Sequence, residues 1–237
     1  MIPACNFKVI MKKPVSLITF LLTTAFHAQN LKNFSVPKEY KKVTEVKGDL
    51  DKDGKDETVL VFDTDRTAAG HETASGKKDY KRVFYILKNE LGRLKVWKEN
   101  STLLYSSGMG FYPEGNILDI QIKNNCLVVE QQFSSNSRHT QTSKHTFRYQ
   151  NGDFYLIGSY DNFADNCEFN FTGEINFSTG KVIVDREYSS CDDDNTKTPE
   201  NIHKEFIHKL KSLIKMDDYK MGEHKFNIPG LKEDFIF

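Results

Sequence analysis

Residues 49–57 read Asp-Leu-Asp-Lys-Asp-Gly-Lys-Asp-Glu, with Gly48 in front. A hard divalent cation such as calcium takes roughly six to eight oxygen ligands, and acids at alternate loop positions reach one point only if the chain wraps tightly. Asp49, Asp51 and Asp53 hold positions one, three and five, and Gly54 at position six permits the turn. Lys55 would offer its backbone carbonyl, and Glu57 would ligate directly or through water, while Asp56 would point away. Four carboxylates so placed repel one another, so the segment is expected to be looser without a cation. Calcium is therefore the expected cofactor, with Asp49, Asp51, Asp53, Lys55 and Glu57 as its ligands. The plainer alternative is a solvated acidic turn leading into a strand.

An EF-hand shares the first half of this pattern but requires a bidentate Glu at position twelve and a helix on each side. Position twelve here is Leu60, and the Thr-Val-Leu-Val-Phe run over 58–62 is strand-like. The arrangement resembles the calcium loop of FG-GAP or VCBS repeats, the blades of integrin-type propellers, in which D-x-D-x-D-G-x-x-D/E precedes an apolar strand. The resemblance covers about residues 47–63 and implies the same five ligands. It departs from that family in copy number, because no second acidic loop carries a glycine at this spacing and Asp192, Asp193 and Asp194 are contiguous. One loop argues against a full propeller and against integrin-like adhesion. A wider similarity runs to about Asn162, through "GDLDKDGKDETVLVF", "RVFYILKN", "LLYSSGMGFYPEG" and "HTFRYQNGDFYLIGSYDN". It is to a group of exported bacterial proteins with one such loop followed by antiparallel strands, and it implies neither a reaction nor a substrate.

Other chemistry is sparse. The chain has no G-x-S-x-G, H-E-x-x-H, P-loop or C-x-x-C motif. Glu114, Asp119, Glu130, Asp161 and Asp165 are available as acid pairs for glycoside hydrolysis, but their separation in space is not readable from sequence. Beyond the leader stand Cys126, Cys167 and Cys191, an odd number, so one stays unpaired. Strand-like runs over 168–177 and 181–187 are joined by Ser178, Thr179 and Gly180, and such a hairpin would bring Cys167 to Cys191. Cys126 then reads as a small buried hydrophobe beside a core strand. A nucleophilic Cys126 would need a positioned histidine, and the sequence gives neither His139 nor His145 a reason to be near it.

The elements that must position these residues are short and mostly extended. Runs over 58–62, 82–87, 94–97, 117–122, 126–132, 145–149, 154–159, 168–177 and 181–185 are rich in β-branched and aromatic residues. Turn chemistry at 89–92, 123–125, 150–153 and 178–180 separates many of them. The expected fold is mainly β, an antiparallel meander forming a sandwich, a barrel or a curved sheet. Two glycine-containing connections, 64–80 and 106–115, are either site-lining loops or ordinary surface links. Toward the end Ile202, Phe206, Leu210, Leu213 and Ile214 recur at helical spacing, opposite Lys204, Lys211 and Lys215. With Thr198 as cap and Pro199 in the first turn, this spacing predicts one C-terminal amphipathic helix docked on the sheet.

The chain has 237 residues, 28% charged and 38% hydrophobic, and its 18 Phe and 10 Tyr supply a core. Basic and acidic residues balance at 33 each, which gives no electrostatic footprint for nucleic acid or an anionic membrane. Met11, Lys12 and Lys13 followed by an apolar stretch over 15–26, with Ala28 before Gln29, fit an export signal, with Met11 an alternative start. The expected organisation is a signal peptide over 1–28, a lead-in segment over 29–47, a β domain with the calcium loop over 48–197, and a helix and tail over 198–237. No stable membrane insertion is expected once the signal is removed. These observations describe a secreted or periplasmic calcium-binding β module with a binding or structural role, whose partner is an exported protein or a glycan. A calcium-stabilised hydrolase and an inhibitor or immunity-type partner of an exported protein are the alternatives.

Overall fold

The computed structural model describes residues 31–68, 78–191 and 198–237. The proposed signal peptide and the triplet 192–194 lie outside the described residues, as does most of the first glycine-containing connection.

Apolar alternation and tight turns build two antiparallel sheets. The first contains β1 (Lys32–Asn33), β2 (Lys41–Gly48), β3 (Glu57–Thr67), β4 (Tyr80–Glu90) and β5 (Arg93–Asn100), in the order β1-β5-β4-β3-β2. The second is a strict meander of β6 (Ile117–Lys123), β7 (Cys126–Ser134), β8 (His139–Gln150), β9 (Asp153–Asp165), β10 (Phe169–Asn176), β11 (Lys181–Tyr188) and β12 (Ile202–Ile207), each hydrogen-bonded to its sequence neighbour. Two-residue turns with positive φ at both positions, Asn124-Asn125 and Asn151-Gly152, connect β6 to β7 and β8 to β9. Such turns match the right-handed strand twist, which is why Asn and Gly stand there. A small hairpin, β13 (Lys225–Asn227) and β14 (Asp234–Ile236), completes the strands among the described residues.

The two sheets share one core. Val59, Val61, Phe84 and Ile86 of the first cluster with Leu127, Val129, Phe147 and Leu156 of the second, all at most 1% exposed. Trp97 of β5 packs edge-on against Tyr149 and Phe154, with ring centres 4.6 and 4.9 Å apart. The other face of the first sheet buries Leu60, Phe62, Val83, Tyr85 and Leu87 beneath Phe34 and Tyr40. Residues 41–47, the end of the segment read as a lead-in, therefore belong to a sheet strand that ends at Gly48, and the chain just before them covers that second cluster.

The expected C-terminal amphipathic helix is not present; the described residues contain no α-helix. Ile202 and Phe206 lie four apart, a spacing that satisfies both a helical face and every second position of a strand. The burial of β12 alternates residue by residue, and Val182 and Phe206 face each other across its pairing with β11. Beyond β12 the chain runs irregularly back under β9, where Leu156 donates its amide to the Ile214 carbonyl and Met216 donates to that of Phe154, both at 2.9 Å. Met216, Tyr219, Ile228, Phe235 and Phe237 are thereby driven into the core. Gly173 of β10 admits this tail, since a Cβ there would stand 2.5 Å from the Phe235 ring.

Cys167 and Cys191 form a disulfide with Cα atoms 5.5 Å apart, closing the outer end of the β10–β11 hairpin. Cys126 is a buried free thiol.

Candidate metal centre

The acidic segment is the connection between β2 and β3. Gly48 pairs with Glu57 across the base of that hairpin, so both ends of the loop are held by the ladder. Leu50, 1% exposed, plugs into the core and pins the chain between Asp49 and Asp51. Two contacts fix the loop to the second sheet. A Cβ on Gly48 would come 2.7 Å from Ile122, and Asn125 in the β6–β7 turn donates to the Asp49 carbonyl at 2.7 Å.

Within this frame Asp49, Asp51 and Glu57 each bring a carboxylate oxygen within 4.8 Å of the others. Asp49 also organises the loop backbone, accepting the amides of Lys52 at 2.6 Å and Gly54 at 3.1 Å. Those bonds require the tight wrap supplied by positive φ at Lys52 and Gly54. Glu57 is 2% exposed and accepts the Leu50 amide at 2.8 Å. Burial pushes its carboxyl up to about 7, against the Leu50 hydrogen bond, and neighbouring Asp51 adds to the shift. A buried carboxylate beside a second acid is costly to ionise without a compensating cation.

Of the residues expected as ligands, the structure brings together Asp49, Asp51 and Glu57. Asp53 lies outside that group, exposed, with its carboxylate accepting the Lys55 amide at 2.8 Å. Asp56 is exposed as well.

Sequence reasoning did not find Lys88. It lies on β4, its ammonium contacts the Asp51 carboxylate, and it sits 4.0 Å from the centre of the Trp97 ring. Burial works against its charge, but Asp51, Glu57 and Asp53 outweigh that and the net pull on its pKa is upward. The only local signal was a lysine ending the apolar run 83–87, and the register that aims it at the loop is a tertiary fact.

Of the five acids considered for glycoside hydrolysis, Asp119 and Glu130 face each other across β6 and β7, and the five do not all gather at the cavity. Glu130 pairs with Lys144 at 2.7 Å, Asp165 with Arg138 at 3.0 Å, and of the five only Asp161 lines the cavity over the second sheet. No family model, curated protein or solved structure matches this chain.

Proposed function

We propose that the protein is an exported β module whose β2–β3 loop holds one calcium ion, and that the ion stabilises a scaffold with a binding or structural role. The observation that carries this reading is the convergence of Asp49, Asp51 and the buried Glu57 within 4.8 Å at a loop clamped to both sheets. The donors are all hard oxygens, which suits calcium and disfavours softer transition metals. Asp49, Asp51 and Glu57 form the core of the set, and Asp53 and the Lys55 carbonyl complete it. Bound there, the ion would offset most of the charge of the three acids and tie the entry of β3 to the β6–β7 turn. The basic and apolar leader supports a periplasmic or secreted location, and the Cys167–Cys191 bond suits an oxidising compartment. An exported protein or a glycan is the proposed partner class.

The Lys88 contact favours one second reading, in which the lysine is the resident cation and the loop needs no metal. Calorimetric titration of chelator-treated protein with calcium, alongside thermal melts, separates the two. Saturable heat and a melting point that rises with the logarithm of calcium excess support the metal site. Neither heat nor stabilisation at millimolar calcium leaves Lys88 as the counter-ion.

A further inference from the structure

We propose that the cavity over the centre of the seven-stranded sheet binds a neutral polyhydroxylated ligand of mono- or disaccharide size. The cavity encloses about 430 Å³, within the range of small-molecule sites. Its floor is a polar patch on the inner face of the sheet. His145 stands opposite Ser159, and Ser143 opposite Asp161, on adjacent strands β8 and β9. Residues two apart on one strand share a face, so these four side chains form a compact square.

The square is under-satisfied. Ser143 and Ser159 are each 4% exposed and His145 is 1% exposed, yet the two serine hydroxyls and the His145 Nδ1 have no partner of hydrogen-bond geometry. Ser143 lies beside the Tyr105 phenol, whose pKa is raised by burial against a smaller opposing contribution from that serine. The other ring nitrogen of His145 is engaged by the Tyr219 hydroxyl at 2.6 Å, and burial pulls the imidazole down to about 3, so it is neutral. Buried polar groups are normally paired, and the Ser159 hydroxyl and His145 Nδ1, with Ser143 beside them, call for a partner that both donates and accepts. A ligand hydroxyl does both.

Charge narrows the class. Arg186 lines the cavity, but its Nε and Nη2 are taken by Glu233 at 2.9 and 2.8 Å, and its Nη1 by the Thr172 and Asp185 carbonyls. Four of the five guanidinium N–H donors are thus occupied, and the Glu233 carboxylate offsets the positive charge. Asp161 gives one oxygen to the Gln141 amide at 2.5 Å, which leaves its other lone pairs as acceptors for hydroxyl donors. Phe133, Phe163 and Phe171 supply apolar walls for the C–H faces of such a ligand. Polar floor, a guanidinium already paired with a carboxylate, and aromatic walls together fit a sugar better than an anion or a purely apolar molecule.

The test is titration of the full exported chain with D-glucose, D-galactose, N-acetyl-D-glucosamine, cellobiose and maltose, followed by calorimetry and by amide shifts in NMR. Tetramethylammonium and acetate serve as charged controls, and each titration is run with calcium and with chelator so that the loop site is read separately. At least one sugar should bind the wild type and shift the Ser143, Ser159 and Asp161 amides. Asp161→Asn and the double change Ser143→Ala with Ser159→Ala should each weaken binding at least tenfold, with the wild-type near-UV spectrum retained. No sugar binding at ~10 mM, binding unchanged in both variants, shifts mapping elsewhere, or preference for either charged control overturns the proposal. If a variant does not fold, the wild-type shift map decides alone.

Discussion

Lys88 and Asp51 form an ion pair across 37 residues of chain, joining β4 to the acidic loop. The ammonium therefore occupies the electrostatic role that a divalent ion would take over. A charge so placed competes with the metal, because both are stabilised by the same carboxylates. Lys88→Met is expected to tighten calcium binding by about tenfold, or about 1.4 kcal/mol. It should also lower the melting point of the chelator-treated protein, since Asp51 then faces Glu57 with no cation beside it. Calorimetry and paired melts measure both effects, and a variant that binds calcium more weakly would show that Lys88 supports the ion instead of competing with it.

The loop acids should separate into three kinds. Asp49 caps the Lys52 and Gly54 amides, so Asp49→Ala is expected to cost about 1–2 kcal/mol even in chelator, and to abolish calcium binding as well. Asp53 is exposed and bonds only locally, so Asp53→Ala should weaken calcium binding while leaving the calcium-free melt nearly unchanged. Asp56→Ala should move neither by more than about 0.5 kcal/mol. Equal losses for the Asp53 and Asp56 variants would mean that the register assigned to the loop is wrong.

The difference between Asp49 and Asp53 also marks what the sequence could carry. Alternate acids with a glycine at the sixth position locate the loop, because the wrap is a local matter of φ at Lys52 and Gly54. The meander is legible for the same reason: alternation and Asn-Asn or Asn-Gly turns act over a few residues. The C-terminal segment was not, because Ile202 and Phe206 fit two periods and only pairing with β11 decides between them. Lys88 and the cavity floor were equally hidden. Ser143, His145, Ser159 and Asp161 meet only through the β8–β9 register, and they are enclosed because the tail returns with Phe235 against Gly173.

That enclosure gives stability a dependence on pH. Burial raises the Asp161 carboxyl from 3.8 to about 6, partly offset by Gln141 and Arg186. The folded chain thus holds a proton that the unfolded chain releases, and this contribution is fully present below about pH 4 and lost as pH rises through about 6. A shift of this size corresponds to at most about 3 kcal/mol. Asp161→Asn should flatten that part of the profile and raise the stability at neutral pH relative to wild type. Urea unfolding across the window measures it, and parallel profiles for the two proteins would remove Asp161 as the cause.

The disulfide offers a test of a different kind of restraint. Cys167 and Cys191 are 24 residues apart, and closing a loop of that length restricts the unfolded chain by about 3 kcal/mol in the chain-entropy account. The folded ends are already held near each other without the bond, because Phe169 pairs with Tyr188 and the Ser189 amide donates to the Glu168 carbonyl at 2.8 Å. Asp165 supports the same corner by accepting the Cys167 and Glu168 amides, both at 2.9 Å. Cys167→Ser with Cys191→Ser should therefore lower stability by about that amount while leaving the fold and calcium binding intact. Peptide mapping without reductant should recover the 167–191 pair, with Cys126 unreactive to thiol reagents until the protein unfolds, since it is buried. A Cys126 that labels at the native rate of an exposed thiol, or that is bridged to either partner, would contradict the arrangement. Loss of calcium binding in the double serine variant would mean that the disulfide end and the acidic loop are coupled through the sheet.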